Sequence, residues 1–110
     1  MMDVYAFATP NSVKVPIALE ELGLPYRLLS VNIRKGEQKG AEHLARNPNG
    51  KVPVLVDHDA TGGALVLTES AAILIHLAEK TGRLLPAAGH ERARVFEQLF
   101  LHASGLGPAF

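Results

Sequence analysis

The sequence contains no cysteine among its 110 residues. The chain therefore has no disulfide, no thiolate metal ligand and no redox-active sulfur of its own. Any thiol chemistry at this protein must use the sulfur of a ligand. The five histidines show no paired spacing with carboxylates that would build a metal site. We expect no bound metal, and we interpret His76 as a surface or packing residue of a helix.

The sequence also lacks an excess of charge and a long apolar segment. Eleven basic residues balance eleven acidic ones, so no long-range field attracts nucleic acid or an anionic membrane. No apolar run approaches the roughly 20 residues that span a bilayer. Residues 1–8 lack the basic start and long apolar stretch of a secretion signal. We therefore expect a cytoplasmic protein that binds neither nucleic acid nor membrane.

What the sequence does contain is typical of a globular α/β domain. Hydrophobic residues make up 47% of the chain and charged residues 20%, and the length suits one domain with one core. Apolar and β-branched patterns, turn residues and helix caps predict the elements. In order they are a strand over 3–8, a helix over 13–22, a strand over 26–33, a polar loop over 34–40, a short helix over 41–46, strands over 52–57 and 64–67, and helices over 70–80 and 91–103.

This order predicts the fold class. A βαβ unit followed by a ββα unit is the thioredoxin-like arrangement, in which helices flank a mixed sheet. The polar segment over 57–63 joins the last two strands as a hairpin, and Asp57-His58-Asp59 is most simply a turn within it. The final helix, over 91–103, has no successor in the sequence.

The first chemically suggestive segment is Lys51-Val52-Pro53, which follows the turn Asn47-Pro48-Asn49-Gly50. An X-Pro bond between a turn and a strand is a candidate cis bond. A cis proline at a strand entrance would hold the N–H and C=O of Val52 outward, where an extended peptide ligand could pair with them. The alternative is an ordinary trans proline at a strand edge, which the local sequence favours.

The second such segment is Thr68-Glu69-Ser70, which opens a helix. Free backbone N–H groups and the helix macrodipole favour an anion there. Ser70 adds a hydroxyl donor for a carboxylate, and Glu69 can accept from an ammonium group, so the pair suits the α-amino acid end of a ligand. The alternative is simple helix capping, which the same residue types also provide.

Together the two segments resemble the glutathione site of glutathione transferases, and the resemblance covers essentially the whole chain, including residues 20–26 and 77–82. It implies that glutathione is the co-substrate. It further implies a cis Pro53, with the Val52 backbone pairing with the cysteinyl part of the ligand. Glu69 and Ser70 would hold the γ-glutamyl ammonium and carboxylate.

Within that family, Thr9-Pro10-Asn11, Gln38 and the segment 105–108 resemble the nu-class, the disulfide-bond oxidoreductases. The resemblance implies that Thr9 and Asn11 face the glutathione sulfur and stabilise its thiolate, with no general base. Gln38 would bind near the glycine end, and Lys51 would reach the glycine carboxylate. Capping of the first helix is a second role that Thr9 and Asn11 can have at the same time.

The resemblance implies an enzyme that transfers thiols to electrophiles or reduces disulfides with glutathione, as a homodimer. Residues 1–84 would form the glutathione-binding domain. Residues 85–110 would form a linker and the first helix of an incomplete all-helical C-terminal domain, so we expect these 110 residues alone to be poorly active. The alternative is a transferase-like module that binds or dimerises without catalysis.

Overall fold

Four strands and four α-helices account for most of the chain that the computed structural model describes, namely residues 1–83, 85–86 and 88–101. They are β1 (Met2–Ala6), α1 (Pro10–Leu22), β2 (Tyr26–Ser30), α2 (Ala41–Arg46), β3 (Val54–Asp57), β4 (Leu65–Thr68), α3 (Ser70–Thr81) and α4 (Gly89–Leu101). Two short 3-10 turns, Ile33–Lys35 and Glu37–Lys39, lie between β2 and α2. No helix in these ranges is long and apolar enough to cross a membrane.

The strands form one mixed sheet in the order β2-β1-β3-β4. Strand β1 runs parallel to β2 and antiparallel to β3, and β4 extends the sheet as a hairpin with β3. Val4 is opposite Leu28 on one side and Leu55 on the other. The thioredoxin-like fold predicted from the order of elements is therefore confirmed.

The main core lies between the sheet and helices α1 and α3. Side chains on a strand alternate between faces, and helical positions three or four apart share a face. The buried cluster follows both periods: it consists of Met2, Val4, Ala6 and Leu55 from the sheet, Val15, Leu19 and Leu22 from α1, and Ile73 and Leu77 from α3. Each of these side chains larger than that of alanine contributes about 1.5–3 kcal/mol by leaving water.

Helix α2 lies on the opposite face of the sheet. Tyr5 follows Val4 on β1 and therefore faces away from the main core. The Arg46 guanidinium at the end of α2 lies 3.8 Å from the centre of the Tyr5 ring. This contact of a cation with an aromatic face helps to dock α2 against β1.

Several predicted boundaries were wrong, two of them because a side chain caps backbone N–H groups. Helix α1 begins at Pro10 rather than at 13, since the Thr9 hydroxyl oxygen accepts the Ser12 N–H at 3.2 Å. Strand β2 ends at Ser30 rather than at 33, where the Asn32 side chain accepts two N–H groups of the following 3-10 turn. Strand β3 begins at Val54 rather than at 52. The predicted end of the last helix and the segment 105–108 lie outside the described residues.

Asp57, the first residue of the predicted turn over residues 57–59, connects the sheet to α3. Asp57 ends β3 and is completely buried, and its carboxylate accepts hydrogen bonds from Lys80 at 2.8 Å and from His76 at 2.9 Å, both on α3. Burial alone would raise the pKa of the Asp57 carboxyl, but these hydrogen bonds outweigh it and lower the pKa to about 2. His76 is thus one of the residues that hold α3 to the sheet.

Candidate functional site

A cavity of about 210 Å³ opens where the start of α1, the segment before β3 and the start of α3 meet. Its lining residues are Asn11, Asn47, Lys51, Val52, Pro53, Glu69, Ser70 and Ala71. Six of these are residues that the sequence predicted to contact a ligand: Asn11, Lys51, Val52, Pro53, Glu69 and Ser70. The fold therefore brings together two motifs that lie on different elements.

The Val52–Pro53 peptide bond is cis, as predicted. Pro53 is buried and Val52 is half-buried. Because β3 begins only at Val54, Val52 lies outside the strand ladder. Its N–H and C=O make no hydrogen bond to another described residue, so both groups are available to a ligand.

Glu69 has an unusual backbone at the edge of the cavity. Its φ of 67° and ψ of 116° make it the only described residue other than glycine with a positive φ. An L-residue held in such a region costs of order 1–3 kcal/mol. Glu69 is the N-cap residue of α3, yet its side chain makes no capping hydrogen bond. Its exposed carboxylate therefore accepts no hydrogen bond from the N–H groups at the start of the helix.

Ser70 is the first residue of α3, where the backbone N–H groups of the first turn have no helical partners. Its hydroxyl makes no hydrogen bond to another described side chain. The hydroxyl, the N–H groups and the helix dipole together suit an anionic group. With the Glu69 carboxylate beside them, this end of the cavity suits a ligand that carries both a carboxylate and an ammonium.

Asn11 and Lys51 are two further exposed residues that line the cavity. The Asn11 side-chain oxygen accepts a hydrogen bond from the Lys14 ammonium at 2.9 Å. This contact leaves the Asn11 amide nitrogen as a donor. The Lys51 ammonium supplies a positive charge that can meet a second carboxylate.

Two predicted site residues, Thr9 and Gln38, are not among the cavity-lining residues. Thr9 lies just before α1 and caps it, which is the second role that the sequence allowed. Gln38 lies in the second 3-10 turn, and its buried side-chain oxygen has no hydrogen-bond partner. The Gln38 backbone approaches Gly50, directly before Lys51, so Gln38 borders the turn that leads into the site.

Two residues near the site were missed by the sequence analysis. His43 and Asn47 are each only 2% exposed, and both hydrogen-bond to the backbone oxygen of Lys51, at 2.7 and 3.1 Å respectively. The Asn47 side chain also accepts the Asn49 N–H at 3.0 Å. An asparagine that opens a turn signals this last contact; no sequence pattern signals the contact of His43.

The acidic and histidine side chains do not cluster into a metal site in the part of the chain that the structure describes. No group of three or more of them there could hold a metal ion. The polar atoms of the cavity are hydroxyl, amide, ammonium and carboxylate groups together with backbone. This set is suited to the termini and amide groups of a small peptide.

Comparison with known proteins agrees with this geometry. Residues 8–80 match the glutathione S-transferase N-terminal domain family. The chain is 46% identical over 110 residues to the disulfide-bond oxidoreductase YfcG of Escherichia coli, and the match covers 98% of this chain and 51% of YfcG. It thus spans about half the length of that curated relative.

Solved structures show the same similarity. A glutathione transferase family member from Pseudomonas fluorescens, with two glutathione bound, superposes with a TM-score of 0.94 at 41% identity, over 97% of this chain and 48% of the other. A glutathione transferase from Pseudomonas putida, with glutathione disulfide bound, also superposes with a TM-score of 0.94. Its sequence identity is 38%, and the match covers 97% of this chain and 47% of the other. On its fold, its cavity and its sequence, the chain belongs to the glutathione S-transferase family, of which it carries the N-terminal domain.

Proposed function

We propose that this chain binds glutathione in the cavity at the start of α3, and that the complete protein uses the bound thiolate to attack electrophiles or disulfides. The observation that carries the proposal is the convergence of the Val52 backbone, Glu69 and Ser70 on one cavity. The glutathione and glutathione disulfide bound to the two Pseudomonas transferases support the choice of ligand. The name of the relative YfcG supports disulfide chemistry.

In the proposed complex, the two ends of glutathione are held by opposite sides of the cavity. The γ-glutamyl carboxylate accepts from the Ser70 hydroxyl and the N–H groups of the first turn of α3, while its ammonium pairs with Glu69. The Val52 N–H and C=O pair with the cysteinyl part. Lys51 meets the glycine carboxylate, and Gln38 lies towards that end. Each hydrogen bond to a charged group contributes about 1.5–3 kcal/mol.

The chemical role proposed for the protein is to stabilise the thiolate. A thiol has a pKa of about 8.5, so lowering it by about 2 units takes about 2.7 kcal/mol of selective stabilisation of the anion. Two hydrogen bonds to the sulfur of about 1.5 kcal/mol each suffice. The Asn11 amide and the Thr9 hydroxyl are the proposed donors, since a hydroxyl that accepts from Ser12 still has its hydrogen to donate.

The thiolate then acts as the nucleophile. With an electrophilic carbon, a C–S bond forms and the leaving group departs with its electron pair. With a disulfide, the glutathione sulfur forms a mixed disulfide and releases one substrate thiolate. A second glutathione thiolate then releases the other and yields glutathione disulfide. These 110 residues contain no cysteine and supply no attacking sulfur, and in the proposed reaction both attacking sulfurs come from glutathione.

The proposal includes the organisation of the complete protein. Residues 1–84 form the glutathione-binding domain, and residues 85–110 form a linker and the first helix of a helical domain. This division is supported by the coverage of about half of YfcG. We place the protein in the cytoplasm as a homodimer. A reducing glutathione pool in the cytosol supports that location, and exposed apolar side chains such as Val95 and Leu101 on α4 support association.

A second candidate function is a transferase-like module that binds glutathione without catalysis. One observation favours it: the Thr9 hydroxyl oxygen is engaged in capping α1, and Thr9 does not line the cavity. Under this candidate function the ligand is held at both ends, but its sulfur is not activated.

The binding proposal is tested by titration calorimetry with glutathione. Ser70→Ala should weaken binding by about 10-fold to 100-fold, which corresponds to the loss of a hydrogen bond to a charged group. Ser30→Ala, the same change at an exposed position at the end of β2, is the matched control and should bind as the unaltered chain does. Equal affinities of the two variants would contradict the assignment of Ser70.

A further inference from the structure

The backbone oxygen of Lys51 is held by two buried side chains that the proposed function does not use. His43 Nε2 lies 2.7 Å from this oxygen and Asn47 Nδ2 lies 3.1 Å from it. A carbonyl oxygen has two lone pairs and can only accept, so both nitrogens are donors and His43 carries a proton on Nε2. His43 Nδ1 is buried without a partner, which is consistent with a neutral ring protonated on Nε2 alone.

The position of this oxygen determines the direction of the next N–H group. The Lys51–Val52 peptide bond is not among the cis bonds of the described chain, and in a planar trans peptide unit the C=O and N–H point in opposite directions. Because the Lys51 C=O points at His43 and Asn47, the Val52 N–H points away from them. Val52 lines the cavity and its N–H has no partner among the described residues.

We infer that His43, together with Asn47, is a positioning residue for ligand binding. The two side chains fix the plane of the Lys51–Val52 peptide so that the Val52 N–H is presented to a carbonyl of a bound peptide. The inference rests on the proposed glutathione site and identifies what orients its central contact. A rotated peptide plane would turn the Val52 N–H towards two donors and leave the ligand carbonyl unpaired.

The two donors are themselves held in place without a ligand. The Asn47 N–H bonds to the His43 backbone oxygen at 2.8 Å, and the Asn47 backbone oxygen accepts the Gly50 N–H at 2.9 Å. Gly50 has a φ of 64°, and a Cβ there would lie 3.4 Å from the Leu44 side chain. The end of α2 and the following turn therefore form one tight unit, so the peptide plane is oriented before the ligand arrives.

The inference is tested with two substitutions at His43 in the full chain. His43→Phe keeps a buried ring but removes the donor, whereas His43→Gln keeps an N–H at the same number of bonds from the backbone. His43→Phe should weaken glutathione about threefold to tenfold, the range for one neutral hydrogen bond. His43→Gln should restore binding to within about twofold of the unaltered chain. His90→Phe on α4 places the same change at an exposed site and should have no effect.

Amide NMR spectra separate positioning from a general loss of stability. At saturating glutathione, the Val52 amide should shift in the unaltered chain, and this response should shrink in His43→Phe. The Ser70 amide should respond equally in both proteins. A response lost to the same extent at both amides, or an unchanged response at Val52 with unchanged affinity, overturns the inference.

A measurement without ligand distinguishes this inference from the proposed function. Nitrogen NMR of the histidine rings should show the proton of His43 on Nε2. A proton on Nδ1 alone overturns the inference whatever the ligand does. A chain with the expected ring proton that binds no glutathione overturns the proposed function, and with it the role of His43 in ligand binding.

Discussion

At the scale of single residues, Glu69 links backbone strain to the proposed chemistry. Its positive φ is unfavourable for any side chain with a Cβ, and its carboxylate provides no cap to α3. Strained residues of this kind persist at functional sites, where the surrounding structure holds them in place. We interpret the strain as the cost of holding a carboxylate next to the free N–H groups of α3.

This interpretation predicts opposite effects of Glu69→Gly on stability and on binding. Glycine tolerates a positive φ, so the free energy of unfolding should rise by about 1 kcal/mol in spite of the greater freedom of the unfolded chain. Glutathione affinity should fall about 10-fold or more, because its ammonium loses its partner. Urea unfolding and calorimetry measure the two quantities.

Glu69→Gln is the matched control for that prediction, since it keeps the Cβ and removes only the charge. It should weaken binding while leaving the free energy of unfolding nearly unchanged. If Glu69→Gly lowered the stability of the chain, or bound glutathione normally, the connection between strain and ligand binding would be wrong.

Substitutions at Thr9 distinguish the two candidate functions, an enzyme and a binding module without catalysis. Thr9→Ala should lower the free energy of unfolding by about 1 kcal/mol through loss of the N-cap. If Thr9 also donates to the sulfur, the change should raise the thiol pKa by about one unit. The pH–rate profile for reduction of a small disulfide by the complete protein should then move to higher pH, with little effect on glutathione affinity.

Thr9→Asp tests the two roles of Thr9 independently. Aspartate is a good N-cap residue, so it should preserve stability, but it has no hydrogen to donate and adds a negative charge near the thiolate. We expect its pH–rate profile to move at least as far as that of Thr9→Ala. An unmoved profile in both variants would assign Thr9 to capping alone and favour the binding module.

At the scale of elements, α3 connects the ligand site to a buried ion cluster. Its first turn borders the cavity, while His76 and Lys80, in its second half, hold the buried Asp57 of β3. The pKa of Asp57 in the folded protein is about 2, below the ordinary value of about 3.9 that applies when the chain is unfolded. The ionised carboxylate therefore stabilises the fold.

The direction of this pKa shift determines the dependence of stability on pH. The contribution of Asp57, about 2 kcal/mol, is fully present above about pH 4 and is lost as the pH falls towards about 2. Urea unfolding across this range should show the loss in the unaltered chain. Asp57→Asn should be less stable near neutral pH and should show a correspondingly smaller loss in acid, whereas an equal acid loss would contradict the assignment.

The elements also show how far the sequence could predict this structure. The helical period of Val15, Leu19 and Leu22 predicted α1, because burial on one face follows directly from that spacing. The predicted ends of elements were wrong where a side chain such as that of Asn32 accepts hydrogen bonds from backbone N–H groups. The role of Asp57 was missed because its partners, His76 and Lys80, lie far along the sequence on α3. The local sequence around Asp57 has the composition of a turn.

The candidate site was predictable to the extent that its contacts lie within contiguous motifs. Glu69 and Ser70 lie together at a helix start, and Val52 precedes a proline at a strand entrance. Each segment alone also fits a helix cap or a trans proline, and the resemblance to glutathione transferases assigned both segments to one ligand. His43 could not be found in this way. Its contact is with the backbone oxygen of Lys51, and a histidine within a short helix carries no sequence signal for such a contact.

At the scale of the whole molecule, the site lies at one end of the sheet, between its two layers. Helices α1 and α3 on one face contribute Asn11, Glu69 and Ser70, and the turn after α2 on the other face leads to Lys51 and Val52. The sheet, with β1 and β3 paired at its centre, lies between these two sets of helices. Ligand binding should therefore engage residues of both layers at once.

The central claim is that glutathione occupies this cavity, and a titration of the isotope-labelled chain followed by amide NMR tests it most directly. We expect saturable shifts centred on the amides of Val52, Glu69 and Ser70, with Asn11 also affected and Ser30 unaffected. The absence of saturable shifts would contradict the claim. So would shifts centred on the apolar surface of α1 and β2 around Val13 and Leu28, because the residues that line that surface carry no charged side chain to pair with the charged ends of glutathione.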